Sequence, residues 1–409
     1  MKFKLVLLSL LIFMAVNLPL YGGNSIFSYQ GTPCRNYGND IYGMTMGDVG
    51  LSDVFRTNTG YGNPAILGSV NKTLFSTGLK FGWTNYTSDD GIERTFKDNS
   101  LDFPFFSISV PINQNHFGFQ FNSMASGVLQ NQITVTTMDS ITYTERQAID
   151  RYIYKADLMY AYHFSHINLG AALNYYFGHD IRKFKQTSEF GIFNTSEILE
   201  RAYKNPAATI GITTAFDKIA WGAYYTNECT LDGSVTRSSI HETEELGDIK
   251  YSIPAQAAGG FTYKFAGEYK ISSDFIYSFW KSAKYSEYDK DSWKLGVGIA
   301  LEPSAKLNHS WFGAIPKRAG FTYRTLPFDA NGSSINETSV SGGITLPLNQ
   351  GSNQLDFGVE YLMRGNTNEN NLQDRSFMFM IGITGFDILS KPFTRNAPRD
   401  IPKTEDISE

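Results

Sequence analysis

The stretch NQLDFGVEYLMRG, residues 353–365, alternates strictly. Leu355, Phe357, Val359, Tyr361 and Met363 share one parity, and Gln354, Asp356, Gly358 and Glu360 share the other. Successive side chains of a strand point to opposite faces, so this segment carries an apolar face and a polar one. Which of the two meets water decides the fold.

The same pattern recurs. INLGAALNYYFG sets Ile167, Leu169, Leu173, Tyr175 and Phe177 against Asn168, Gly170, Asn174 and Gly178. WKLGVGIAL sets Trp293, Leu295, Val297 and Ile299 against Lys294, Gly296 and Gly298. Period-two writing of this kind predicts strands over about fourteen segments: 73–86, 100–111, 115–125, 149–164, 167–180, 205–216, 219–229, 254–265, 268–281, 291–301, 317–326, 337–347, 353–364 and 374–387. Their connections alternate in length. Short turns such as INQN, SH, DK, AGE and NQGSN follow even-numbered segments. Long polar stretches, read as loops, follow odd-numbered ones, including 128–147, 180–204 and 230–252; the tenth link, EPSAKLNHSWFGAIPK, breaks the rotation.

Links of this kind describe an up-and-down antiparallel sheet, and an even strand count favours closure into a barrel. In a soluble β-fold the charged face would turn outward, but here the second face is rich in Gly, Ala, Asn and Ser, a poor covering against water. The expected fold is therefore all-β: a transmembrane barrel of about fourteen strands, apolar face to lipid, polar face to a lumen. Trp83, Tyr86, Tyr152, Tyr162, Tyr225, Tyr269, Phe279 and Trp293, near strand ends, suit interfacial belts. Lys80, Gln120, Asn122, Lys155, Asp157, Thr213, Asp274, Lys294, Arg324, Asp356 and Glu360 are expected to point inward, pairing with one another, with a plug, or with a ligand.

Composition agrees. Of 409 residues, 15% are aromatic and 37 are glycine, which favours strands, and a mean hydropathy of −0.26 excludes a helical membrane bundle. A formal charge of −5 without a basic run excludes nucleic acid as the main partner. Lys2 and Lys4 precede an apolar run, Leu5 to Val16, too short to span a bilayer but suited to a secretory leader over 1–22. Cys34 and Cys229 lie far apart in sequence; export permits a bridge without requiring it. No Gly-x-Ser-x-Gly, HExxH or paired Cys/His spacing occurs, so neither catalysis, metal nor cofactor is expected; His163 and His166, flanking a turn, read as interfacial.

Residues 23–72 lack strand-length alternation and are glycine-rich, as a compact filler for a barrel lumen would be. Within them, GMTMGDVGLSDVFRTNTGYGNPAILGSV (43–70) resembles the hatch of the FadL-type outer-membrane transporters of long-chain fatty acids and aromatic hydrocarbons, with Asn63, Pro64 and Ala65 leading into the first strand. The stretch 318–348, followed by LDFGVEYLMRG, is similar to that family's last strands. The tripeptide recurs at Asn205 to Ala207. The resemblance implies a hatch over 23–72, a barrel over 73–387 and passive uptake of a fatty-acid-like molecule, which leaves through a gap where the third strand kinks.

The third segment does lose its alternation at Asn122, Ser123 and Ala125 to Gly127, where small polar residues would weaken pairing with a neighbour; alternatively, the strand ends there. The polar tail 388–409 departs from the family pattern. Expected partners are a lipid bilayer and a hydrophobic small molecule, the barrel being a monomer. A second implied role is a barrel that docks exported proteins, as do the PorV and PorQ components of type IX secretion, or a structural outer-membrane barrel.

Overall fold

A computed structural model describes residues 24–89, 91–136, 142–188, 191, 194–303, 313–348 and 353–385. The expected leader and the tail lie outside the described residues. A two-residue strand, Cys34–Arg35 (β1), belongs to the amino-terminal segment. The wall begins with Leu74–Asp89 (β2), then a divided second stave, Glu93–Asp102 (β3) and Phe105–Ile112 (β4). Four long staves follow: Asn115–Thr136 (β5), Thr142–His163 (β6), Ile167–Ser188 (β7) and Thr195–Phe216 (β8). The seventh stave divides into Ile219–Thr226 (β9) and Cys229–Ser239 (β10), and the eighth into Thr243–Ile253 (β11) and Gln256–Phe265 (β12). Tyr269–Ser278 (β13), Ser292–Leu301 (β14), Lys317–Ala330 (β15), Ser333–Leu348 (β16), Asn353–Asn366 (β17) and Leu372–Gly385 (β18) complete the sheet. Each stave pairs antiparallel with its sequence neighbour, and β18 pairs with β2 from Leu372 opposite Ser88 to Gly385 opposite Phe75. Fourteen staves thus form a closed barrel, as the alternation predicts.

The apolar parity faces outward. Leu158, Ile210 and Val340 are 62%, 63% and 58% exposed, and Val359, Tyr361 and Met363 are exposed as well. Asp356 and Lys294, of opposite parity, are buried. That distribution suits hydrocarbon outside and a filled interior. One of the expected belt residues is corrected: Tyr86 is 4% exposed and turns inward, whereas Tyr152 keeps the outward parity of Leu158 and Tyr160 and is covered there by Tyr154 and His179.

The stretches 128–147, 180–204 and 230–252, expected as loops, are largely strand; the staves β5 to β8 have 22 residues each. A membrane crossing needs only about 9–11 residues, so roughly half of each projects beyond the bilayer on the long-link side. Toward the tips both faces are partly or fully exposed, as at Gln130 to Thr136, which erases the parity contrast while the backbone ladder persists.

Residues 24–73 pack against the inner face of the wall. Gly78 and Gly382 abut Ile41; Gly298 and Gly320 abut Met46 and Gly47; Gly222 abuts Leu51; Gly211 abuts Asn63; Gly118 abuts Leu67. The wall's inward glycines are therefore seats for this segment, since a Cβ at Gly298 would overlap the Met46 backbone. On the long-link side, Phe27, Leu231, Trp280 and Ile335, none with more than 0% exposure, belong to a buried aromatic and aliphatic cluster.

Candidate functional site

The candidate site is a break in the wall between the second and third staves. Pro104 has no N–H to give a ladder, and it divides β3 from β4. Below the break, β4 pairs with β5 as far as Phe105 opposite Asn122. Above it, β3 pairs only with β2, while β5 slips register between Ser123 and Ala125 and, among the staves, continues on β6 alone to Thr136 opposite Thr142. Among the described residues no ladder joins β3 to β5.

Part of the amino-terminal segment occupies the break. β1 adds to the β5 edge, Cys34 opposite Ser126 and Arg35 opposite Ala125, and the Asn36 N–H donates to Met124 O (2.9 Å). Ser25 N–H donates to Val128 O (3.1 Å), while the Asn24 amide donates to Asp98 (2.8 Å) and to Asn99 O (2.9 Å) on β3. One short stretch of chain therefore touches both free edges. It is fastened from behind by Asp374 on β18, which accepts from Ser25 Oγ (2.5 Å) and the Ile26 N–H (3.1 Å). Arg364 ties Asp374 (3.0 Å) to Glu337 (2.6 Å), and Glu337 also holds Arg324 (2.8 Å), which donates to Pro33 O.

Of the residues the sequence proposes for the gap, Asn122 is the last to pair with β4, and the Ser123 N–H donates to Pro104 O (3.1 Å). Gly127 lies under the amino-terminal segment, where a Cβ would come within 2.8 Å of Gly31 O. The strand does not end at these residues; it continues to Thr136.

The Asn63, Pro64, Ala65 tripeptide forms the head of a 3₁₀ turn, Pro64–Ser69. Asn63 Oδ1 accepts from the Ala65 N–H (3.1 Å), and its amide donates to Leu51 O (3.0 Å) and to Ile212 O (3.2 Å) of the wall. It is thus both a cap and a strut, with proline at the first turn position, where no N–H is needed. The second copy, Asn205 to Ala207, lies within β8.

The inward charges are paired. Lys80 meets Glu360 (2.5 Å), Lys155 meets Asp157 (3.0 Å), and Asp356 holds Arg318 (3.1 Å). Three more bind the amino-terminal segment: Asp274 accepts from the Gly50 (2.6 Å) and Leu51 (3.0 Å) N–H groups, Lys294 meets Asp48 (2.5 Å), and Lys270 meets Asp53 (2.8 Å). Within the segment, burial alone would raise the Asp40 carboxyl, but Arg56 at 2.6 Å more than offsets it and holds Asp40 at about 2. No disulfide joins Cys34 and Cys229.

Sequence reasoning did not single out Lys270, Arg318, Glu337, Arg364 or Asp374. Their signal is cross-strand: Glu337 stands opposite Arg364, and Arg364 opposite Asp374, all on the inward parity.

Behind the break lies a cavity of about 100 Å³. Its lining mixes charged groups, Lys80, Asp102, Arg324 and Glu360 among them, with apolar ones such as Met44, Leu362, Met378 and Met380, and the amino-terminal segment adds Asn24 and Arg35.

These features define the class: a closed antiparallel β-barrel with the FadL-type fold, its amino-terminal segment packed on the inner wall. Three solved structures share the fold. The CymD monoaromatic hydrocarbon channel is 15% identical, with a TM-score of 0.53 over 85% of this chain and 97% of its own. The Ralstonia pickettii toluene transporter TbuX is 14% identical, with a TM-score of 0.55 over 85% and 98%. A Pseudomonas aeruginosa FadL homologue is 13% identical, with a TM-score of 0.58 over 86% and 98%. No curated protein matches the sequence. Within that class the chain belongs to the BamG family, whose model matches residues 1–388.

Proposed function

We propose that this barrel passes hydrophobic small molecules, long-chain fatty acids or aromatic hydrocarbons among them, across the outer membrane. Residues 23–72 act as its hatch, after removal of a leader over 1–22, and the break between β3 and β5 is its lateral opening. The observation that carries the reading is the missing ladder between those two staves, with the chain's own Asn24 to Asn36 seated there. An apolar solute gains nothing from a watery pore, whereas a side door delivers it to hydrocarbon. The solved barrels of this fold described as a toluene transporter and a hydrocarbon channel support the substrate class.

A second reading, a barrel that docks exported proteins, draws support from the long polar extensions of β5 to β8 and from a cavity of about 100 Å³, small against the roughly 300–1,000 Å³ of a ligand pocket. Deleting Asn24 to Asn36 separates the two. Transport predicts a several-fold change in cellular uptake of a fluorescent fatty acid; docking predicts unchanged uptake and loss of a co-purifying exported protein.

A further inference from the structure

Two histidines meet under the end of the amino-terminal segment. His116, the second residue of β5, and His163, the last of β6, both keep the inward parity at the short-turn end, with ring centroids 6.5 Å apart and planes at 72°. Against them lies the turn Pro64–Ser69, whose Ile66 and Leu67 share an apolar cluster with Val70, Met159 and Ala161. Each ring is tied to the seating of that turn. One nitrogen of His116 donates to the Val70 carbonyl. His163 Nδ1 meets Asn168 Oδ1 at 2.6 Å, and the Asn168 amide donates to Thr213 Oγ1 (3.0 Å). The Asn168 side chain lies so close under Gly68 that a Cβ there would come within 2.7 Å of it.

This arrangement suits neutral rings. His116 is 5% exposed and its Nδ1 has no partner, so the N–H on Val70 belongs to Nε2 and Nδ1 is a bare acceptor. A proton added at Nδ1 would be a buried donor without an acceptor, carrying charge beside a second imidazole. Nothing close by offsets that charge. Residues 57–71, 103–129, 158–179 and 205–216, which form the end of the segment and the stave ends around it, hold no Asp, Glu, Lys or Arg. Apart from phenols, neutral up to about pH 10, His163 is the titratable group that acts on His116. Of the groups just beyond, Lys72 is exposed, His166 stacks on the exposed Phe216, and Asp157 is held by Lys155 at 3.0 Å.

We infer that the pair is an acid-operated release for the end of the segment. With both rings neutral, residues 64–72 stay seated on β5 to β8; protonation favours a state in which the turn has lifted and the imidazoles reach water. The released state binds more protons than the seated one, so seating is complete above the ordinary imidazole value of about 6.5 and weakens as pH falls below it. Each proton taken up only on release raises the released population about ten-fold between about pH 7.5 and about pH 5.5, and two raise it about a hundred-fold. The device concerns how the segment is seated and holds whatever crosses the barrel.

The test is amide exchange of residues 64–72 of the full barrel in lipid nanodiscs between those two pH values, corrected for the intrinsic pH dependence of exchange, with β16 and β17 as internal reference. Protection is expected to fall by about ten- to a hundred-fold relative to that reference. His116→Gln keeps a donor for Val70 and takes no proton, so it is expected to remove about ten-fold of that change. A ring with a packing role alone would lower protection equally at every pH and leave the slope unaltered; that result overturns the proposal, as does pH-independent protection in the unaltered protein. Where the variant fails to fold, ring nitrogen NMR of the unaltered barrel decides. His116 held as the neutral Nε2–H form at about pH 6 in the seated state supports the release, and a ring that protonates near 6.5 while the turn stays protected overturns it.

Discussion

Replacing Asp374 by Asn tests whether the segment in the wall break is held from β18. The carboxylate accepts from Ser25 Oγ and Arg364, both buried, and from the part-buried Ile26 N–H. Asn keeps one acceptor oxygen and turns an NH₂ toward groups that are themselves donors, so at least one charged hydrogen bond is lost. Such a bond is worth about 1.5–3 kcal/mol, and about 2 kcal/mol corresponds to roughly a 30-fold rise in the population of the released segment. Arg364 keeps Glu337 at 2.6 Å, so the wall itself stays intact. Hydrogen exchange in lipid nanodiscs is expected to show protection of residues 24–36 falling by roughly 30-fold, with β16 and β17 unchanged. Unaltered exchange of 24–36, or an equal loss throughout β16 and β17, refutes the reasoning.

Three other perturbations probe the rest. Gly298→Leu forces a side chain into the Met46 backbone and is expected to lower the temperature at which the barrel loses its folded mobility on an unheated gel, by overpacking worth about 1–3 kcal/mol or more. Val359→Arg, on the lipid face, is expected to cost about 2–4 kcal/mol in denaturant unfolding from vesicles if it lies near the midplane, and near zero if that face meets water. Asp40 has its folded value depressed to about 2 from 3.8, so its contribution is present above pH 4 and lost as pH falls through 2; amide protection around residues 40–59 is expected to drop across that window.

The staves were legible because hydrocarbon on one side and packing on the other enforce a period of two, as at Leu355 to Met363. The upper halves of β5 to β8 were not, because water on both sides imposes no such contrast on residues such as Gln130 to Thr136. Asn63 and Pro64 announce a capped turn locally, but their seats at Gly211 and Gly170 lie more than a hundred positions away. The gap residues Asn122 and Ser123 mark where the neighbour is lost. What takes its place, Cys34 and Arg35, is a long-range pairing with no local signal. Glu337, Arg364 and Asp374 are three residues on three staves, and they form a clasp only once the register is fixed.

The most direct measurement is residue-resolved amide exchange along Val128 to Thr136 of β5 in a bilayer. An antiparallel strand paired on one side offers its partner only every second N–H, and here β6 is that partner. Alternating slow and fast amides above the Ser25 contact are the result expected of an open edge. Uniform protection, as in a strand laddered on both sides, would mean that the wall is continuous there and that no side door exists.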